Sequence, residues 1–317
     1  MYKKFIIKLF ITLTFVCIIC FSFLATNLQL LSLGLLAFIL GLRHGFDADH
    51  IVAIDNITRK LQSEQKEYRN TKYLNTGMFF ALGHSTVVML LTILIILSLQ
   101  TFHNTFMSFK NLGSTIGVSV SICFLWMTAL INVRVLSSLV SNKHNHVHPP
   151  RGILNYLARY LFNKINSPAK MYLVGFCFGL GFDTATEVGL LSLAATSYSN
   201  GLELWLILLF PVLFASGMIL TDSLNCVFMA SLYNWASNGT NQLRKYNIVI
   251  IGITTFLAFA IGLFELIEML NPVWHWPTII INISKFINVN SAQIGIGIAC
   301  GFMCLWVFTR LRLKFKH

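Results

Sequence analysis

The chain has 317 residues, of which 56% are hydrophobic and only 11% are charged, whereas about 25% of the residues in a typical soluble domain are charged. This composition excludes a soluble globular protein and predicts a polytopic membrane protein. The formal net charge of +12 does not indicate nucleic-acid binding, because the basic residues lie in short clusters between apolar runs, as they do in proteins oriented across a membrane.

Apolar runs long enough to cross a bilayer recur along the whole chain. They predict an all-α fold with about eight transmembrane helices, built as a single transmembrane domain over residues 1–317. The predicted helices cover residues 5–25, 28–56, 76–99, 112–135, 171–197, 202–233, 247–270 and 294–308. Pro211 predicts a kink or a break in the sixth of them.

The longest polar interruption, residues 141–170, is predicted to be a cytoplasmic loop. It starts with a tract containing His144, His146 and His148, which is typical of a solvated linker and also offers donor atoms to a metal ion. Within residues 151–163 the apolar side chains fall on one helical face. This pattern predicts a short amphipathic helix that lies in the headgroup plane.

The basic residues orient the chain. Of the 23 Lys and Arg residues, Arg43 lies within a span and only Lys110 and Lys285 fall in predicted outer loops when the N-terminus is placed inside. The positive-inside rule therefore predicts that both termini are cytoplasmic and that the number of spans is even. The expected location is the cell membrane.

The second predicted helix ends in a charged cluster, GLRHGFDADHIVAIDN, over residues 41–56. Each Asp or Arg at bilayer depth costs roughly 2.5 to 3.5 kcal/mol, so the cluster needs partners, water or a bound ion. Imidazole and carboxylate groups together suit nickel, cobalt, zinc or iron better than magnesium or calcium. We therefore predict a metal site with the ligands His44, Asp47, Asp49 and His50. A proton relay without metal and a structural ion-pair network around Arg43 remain as alternatives.

Other spans also contain polar residues. His84 follows a glycine in the third predicted helix and is a further candidate ligand. An ion pathway or second-shell support is the predicted role of Arg43, Ser85, Asp183, Thr186, Glu187 and Asp222. Near the outer end of the seventh helix, Glu265 and Glu268 are either ordinary interfacial carboxylates or a vestibule that attracts cations.

The sequence contains an internal echo. GFD at residues 45–47 recurs at residues 181–183, and FALGHS at 80–85 matches FASGMI at 214–219. With the predicted topology, the two copies run in opposite directions across the membrane. Inverted repeats with polar residues in matching helices are typical of secondary transporters.

Four motifs carry a resemblance to a known family: HGFDADH at residues 44–50, LGHSTVV at 82–88, LGFDTATE at 180–187 and GMILTDS at 217–223. In this order they are similar to those of the nickel/cobalt transporter family of bacterial and fungal permeases, over essentially the whole chain. The resemblance implies an eight-helix fold with cytoplasmic termini and high-affinity uptake of Ni²⁺ or Co²⁺. It also implies that His44, Asp49 and His50 are indispensable and that His84 contributes.

The sequence departs from the family pattern at two positions. The family usually has Ala where Gly45 stands, which predicts a looser helix at the site. It usually has a second Asp where Asn225 stands, so the role of that carboxylate does not carry over.

The resulting hypothesis is a secondary transporter that imports a divalent transition metal, nickel first and cobalt second, and is not an enzyme. No cofactor is expected beyond the transported ion, and the expected partners are that ion and the lipid bilayer. Nucleic acid is not expected as a partner, and neither is an ATPase subunit, since the chain has no phosphate-binding loop. Two alternatives are an intramembrane metalloenzyme, which needs about eight clustered histidines, and a metal-sensing or accessory subunit. The sequence leaves the oligomeric state open.

Overall fold

The computed structural model describes residues 2–64, 72–101, 103–140, 164–181, 185–237 and 241–314. In this part of the chain the regular structure is helical throughout, which confirms the all-α prediction. The α-helices are α1 (Tyr2–Leu24), α2 (Leu28–His44), α3 (Ala48–Glu64), α4 (Thr76–Thr101), α5 (His103–Val140), α6 (Met171–Gly179), α7 (Ala185–Ser199), α8 (Leu204–Ile207), α9 (Leu209–Ser237), α10 (Asn241–Trp274), α11 (Thr278–Val289) and α12 (Ser291–Lys314). The histidine tract, the predicted amphipathic helix and Asp183 lie outside the described residues.

Several helices are long and apolar enough to cross a membrane. The described residues contain five such single helices, and up to seven spans if each of two sharply bent helix pairs counts as one. The chain is therefore a multi-pass membrane protein. The fifth predicted helix, over residues 171–197, corresponds to α6 and α7, which flank residues 182–184 outside the described part.

The second predicted helix is not continuous, and this part of the prediction was wrong. α2 ends at His44, α3 begins at Ala48, and the two axes differ by 57°. Between them the amide nitrogens of Phe46 and Asp47 bond to carbonyl oxygens three residues back, at 3.0 and 2.8 Å. This tightening turns the chain at residues 45–47, which we call the break. Transporters commonly interrupt helices in this way at a substrate site.

Gly45 contributes space at the break rather than an unusual backbone conformation. Its φ of −63° and ψ of −9° are open to any residue. A methyl group at this position, however, would lie 2.8 Å from Cβ of Thr221 on α9. The glycine therefore allows α9 to approach the break closely, which the sequence alone did not indicate.

Other boundaries also differ from the prediction. Residues 278–289, predicted to be a loop, form α11, and α3 extends to Glu64 within a segment predicted to be polar loop. The break predicted near Pro211 occurs at Leu208, between α8 and α9. Pro211 itself lies in the first turn of α9, where a missing amide hydrogen costs no helical hydrogen bond.

Two helix crossings are built on glycine. Where α2 crosses α9, a methyl group at position 41 would lie 1.9 Å from the carbonyl oxygen of Phe214, and one at position 217 would lie 2.4 Å from that of Phe38. Such separations are far below van der Waals contact, so the two backbones touch directly. Small residues at crossings are the usual means of close helix packing in membranes.

α6 crosses α4 with the same geometry. A methyl group at position 175 would lie 2.0 Å from the carbonyl oxygen of Phe80, and one at position 83 would lie 1.9 Å from that of Tyr172. A shift of 134 residues relates the contacts of one crossing to those of the other, since it pairs positions 38 and 172, 41 and 175, 80 and 214, and 83 and 217. The internal echo is therefore a repeat of helix packing, in which each half supplies one helix to each crossing.

We predict that Gly41→Ala and Gly175→Ala each destabilise the protein, because the added methyl group would collide with backbone that cannot rotate away. Overpacking of this kind costs about 1 to 3 kcal/mol or more. The midpoint of thermal unfolding in detergent measures the effect. Gly252→Ala on α10 is the control, because a methyl group there would meet no atom within 4 Å. Equal midpoints for all three variants would contradict the packing at these crossings.

Candidate metal site

Three buried histidines converge beside the break. His44 ends α2, His50 lies in the first turn of α3, and His84 lies in the middle of α4. One ring nitrogen of each lies within 4.8 Å of the others. We call these residues the histidine cluster. The break creates it, since it brings the rings of His44 and His50 to 4.6 Å between centroids.

The spacing within the cluster is close to that of a metal site. Nε2 of His44 lies 3.0 Å from Nε2 of His84. In a tetrahedral site with metal–nitrogen bonds of about 2.0 to 2.1 Å, ligand nitrogens lie about 3.3 Å apart. Nε2 of His50 and Nδ1 of His84 are buried and have no hydrogen-bond partner among the described residues. The three histidines could therefore hold one metal ion.

Glu187 of α7 faces the same ring nitrogens. Its Oε1 lies 2.7 Å from Nε2 of His84 and 3.9 Å from Nε2 of His44. Sequence reasoning gave this carboxylate a supporting role on an ion pathway. Its position between two candidate ligand nitrogens instead makes it a candidate ligand itself.

Two further carboxylates lie behind the rings. Oδ2 of Asp47 lies 2.7 Å from Nδ1 of His44, and Oδ2 of Asp222 on α9 lies 3.3 Å from Nδ1 of His50. Histidines that bind metal usually donate their other ring N–H to a carboxylate, which fixes the ring and its tautomer. Asp47 and Asp222 occupy this orienting position, and Thr186 adds a hydroxyl 3.1 Å from Nδ1 of His44.

The remaining predicted residues have different surroundings. Asp49 is half-buried and lines a cavity beside the cluster, and Ser85 is buried next to His84 on α4. Arg43 donates to the carbonyl oxygen of Val289 at 3.5 Å and forms no ion pair with a described carboxylate. This contact does not support the alternative of an ion-pair network around Arg43.

The cavity leads away from the cluster. It has a volume of about 720 Å³ and is bounded by the ends of α5, α10 and α11. Its lining includes His44 and His84 of the cluster and five carboxylates, namely Asp47, Asp49, Glu187, Glu265 and Glu268. The carboxylates predicted at the end of the seventh helix thus face the same space as the cluster.

A second polar network lies farther along α3, away from the cavity. Arg59 contacts Oδ2 of Asp55 and Oδ1 of Asn56, each at 2.8 Å, and Oγ1 of Thr254 on α10 at 3.4 Å. Asn132 of α5 donates to Oδ1 of Asn56 at 2.6 Å. These side chains join α3 to the α5 and α10 pair.

Sequence reasoning missed Ser291, Asn132 and Thr254, because none of them belongs to a motif. Each is identified only by its hydrogen bond to a side chain of another helix or of the break. The aromatic wall was missed for the same reason: Phe80 lies edge-on to His50 with centroids 4.9 Å apart, and Phe214 lies 5.6 Å from His44. Apolar spacing had given these phenylalanines no role beyond packing.

Known proteins resemble this chain over most of its length. The family model described as high-affinity nickel-transport protein matches residues 30–312. A high-affinity nickel transport protein of Cupriavidus necator is 35% identical over 291 residues, which cover 88% of this chain and 82% of its own. A nickel transporter of Mycobacterium tuberculosis is 38% identical, with 78% and 71% covered. A cobalt transport protein of Rhodococcus rhodochrous is 31% identical, with 90% and 82% covered. No solved structure matches the chain.

We predict that the purified protein binds one Ni²⁺ ion and that His44→Ala, His50→Ala and His84→Ala each weaken binding by at least about tenfold, because each removes a ligand. Equilibrium titration in detergent measures the dissociation constant. His275→Asn is the control, since His275 is exposed at the far end of α10 and its φ of 47° suits Asn. Equal affinities for the cluster variants and the control would contradict this site.

Proposed function

Because the chain belongs to the family of high-affinity nickel-transport proteins, we propose that it is a secondary transporter that imports divalent transition-metal ions across the cell membrane. Nickel is the first candidate substrate and cobalt the second, since both metals occur in the names of its relatives. The convergence of three buried histidines with Glu187 carries the proposal.

The proposed ligands are ring nitrogens of His44, His50 and His84 together with Oε1 of Glu187. Imidazole nitrogen with one carboxylate suits nickel and cobalt, whereas calcium and magnesium prefer oxygen alone. Asp47 then holds the ring of His44. A direct ligand role for Asp47 and Asp49, expected from the sequence, stays a prediction.

Charge balance supports a cation at this position. Asp47, Glu187 and Asp222 surround the cluster, and all three are at most 3% exposed. Ionised carboxylates in a low dielectric need compensation by protons or by a bound cation. A doubly charged metal supplies this compensation at the point where the carboxylates meet.

The proposed access route is the cavity. The topology inferred from the basic residues puts its far end outside the cell, so Glu265 and Glu268 meet the ion first and Asp49 comes next. Carboxylates along a narrow cleft raise the local cation concentration and the rate of association.

Release to the inside is proposed to require the Arg59 network to open. That network ties α3, which carries His50, to α5 and α10 on the side away from the cavity. Both termini are placed in the cytoplasm in this scheme. With a negative cell interior, each doubly charged ion gains about 4.6 kcal/mol per 100 mV, at about 2.3 kcal/mol per charge, so the membrane potential can drive import.

The two alternatives differ from this proposal in measurable ways. The members of the matched family are transporters and not enzymes, and the histidine cluster has three histidines where a di-iron enzyme needs about eight. A sensing or accessory subunit would bind nickel but would show no flux when expressed alone.

We predict that cells expressing the protein accumulate radioactive nickel and that His50→Ala abolishes the accumulation, because the ion loses the proposed ligand on α3. The initial rate of uptake, normalised to the amount of protein in the membrane, is the measurement. The His275→Asn variant should transport as the wild type does. Equal uptake by wild type and His50→Ala would contradict the proposal. In a competition assay, an excess of unlabelled cobalt should reduce nickel uptake more than an excess of manganese does.

We further predict that Glu265→Gln raises the KM for nickel by about threefold or more at low ionic strength and leaves the maximal rate nearly unchanged, because it removes charge from the access route without touching the cluster. The amide oxygen of Gln can still accept the hydrogen bond that Ser121 donates to Oε1. The difference from wild type should shrink in high salt, since screening weakens steering. A KM that is unchanged at both ionic strengths would exclude a role for this carboxylate in access.

A further inference from the structure

The last two helices form a bend that contacts the break. α11 and α12 differ in direction by 67°, and we call residues 289–295 the elbow. Ser291 donates a hydrogen bond from its hydroxyl to Oδ1 of Asp47 at 2.7 Å, and the carbonyl oxygen of Val289 accepts from Arg43 at 3.5 Å. The first contact reaches the turn of chain that separates His44 from His50, and the second reaches the last turn of α2, directly before His44.

The elbow also touches the break through backbone. A methyl group at position 295 would lie 1.8 Å from the carbonyl oxygen of Phe46 and 2.9 Å from Cδ1 of Ile51. Only glycine permits this approach, whereas positions 297 and 301 on the same helix have no atom within 4 Å of such a methyl group. Among the three glycines of α12, Gly295 is therefore the one at which the helix touches the backbone of the break.

Asp47 connects the elbow to the histidine cluster. One carboxylate oxygen accepts from Ser291, and the other lies 2.7 Å from Nδ1 of His44. When Nδ1 donates to this carboxylate, Nε2 of His44 is left as the nitrogen with a lone pair, and it faces His84 at 3.0 Å. The hydroxyl of Ser291 thus holds the carboxylate that lies beside Nδ1, and Asp47 together with the Thr186 hydroxyl at 3.1 Å orients the ring of His44.

We propose that the elbow sets the affinity of the metal site, with Ser291 as a positioning residue that acts through Asp47 on His44. The inference rests on the proposed function of the histidine cluster and deepens it. Residues 289–295 carry none of the four family motifs, so the C-terminal helix pair contributes to metal binding through residues that the motifs do not identify.

The elbow is also a wall of the access route. Val289, Ser291 and Ile294 line the cavity beside Asp47 and Asp49. An ion that arrives at the cluster therefore passes the side chain that orients Asp47. Any displacement of the elbow changes both the width of the route and the orientation of His44.

The first test compares Ser291→Ala with Ser291→Thr in the full-length protein. We expect Ser291→Ala to raise the dissociation constant for Ni²⁺ in detergent and the KM for nickel uptake by about 3- to 10-fold, with a maximal rate within about twofold of wild type. This is smaller than the loss of about 10- to 100-fold typical of direct outer-shell partners, because the serine acts one step farther away. Ser291→Thr keeps the hydroxyl and should restore both constants, whereas a purely structural contact would change the unfolding midpoint and not the KM.

The second test compares two glycine variants of one helix. Gly295→Ala should raise the KM as Ser291→Ala does, because the methyl group pushes the elbow away from the break. Gly297→Ala, two residues along α12, should behave as the wild type. Both substitutions replace glycine by a better helix former, so intrinsic helix propensity cannot explain a loss in only one of them.

The third test is a double-mutant cycle with Asp47→Asn, read as nickel affinity in detergent. If Ser291 acts through Asp47, Ser291→Ala should change the affinity much less in the Asp47→Asn background than in the wild type. This inference would be overturned if Ser291→Ala left the affinity and the KM unchanged, or if the effects of the two substitutions were fully additive. In either case, nickel uptake by the wild type would leave the proposed function intact. Absence of nickel uptake by the wild type would overturn the proposed function and this inference with it.

Discussion

The structure depends on an interruption between α2 and α3, which together are long and apolar enough to form one span. In a continuous helix over residues 28–64, His44 and His50 would lie about 9 Å apart along the axis and about 120° apart around it, so their rings would point in different directions. The turn at residues 45–47 instead brings their rings to 4.6 Å and directs both toward α4. Non-helical backbone within a membrane span is tolerated only where protein surrounds it or a cavity borders it. Here α9 packs on one side of the break, the elbow packs on another, and the cavity borders the rest.

The two repeated halves share their packing but not their chemistry. With the shift of 134 residues that relates the glycine crossings, the counterpart of His44 is Phe178 and that of His84 is Met218. One half therefore supplies the ring nitrogens, and the other supplies carboxylates through Glu187 and Asp222. Two halves that rock about shared crossings can change their separation while each stays rigid. For an ion held by nitrogen from one half and oxygen from the other, that movement would change the distances between the ion and its ligands.

Much of the candidate site could be predicted from the sequence, because burying a charged side chain has a high free-energy cost and few arrangements of neighbouring groups offset it. The motifs around His44 and His50 and around His84 singled out the three histidines that the structure brings together. Gly45 predicted a looser helix at the site, but the 57° bend could not be predicted, since Gly45 adopts ordinary helical angles and no proline interrupts the run. Helix α11 was missed because it is too short to span a bilayer, although its residues form an amphipathic helical pattern. The partner of its polar side chains, Glu268, lies 16 to 20 residues away in the sequence, so this pairing could not be predicted.

The most direct test of the central claim is X-ray absorption spectroscopy at the nickel edge of the purified, nickel-loaded protein. The account predicts imidazole nitrogens in the first shell at about 2.0 to 2.1 Å, as at other histidine-bound transition metals, with the outer-shell scattering of histidine rings. That scattering should weaken in His84→Ala. A first shell made of oxygen alone, unchanged by the substitution, would contradict the claim that the ion is held among His44, His50 and His84.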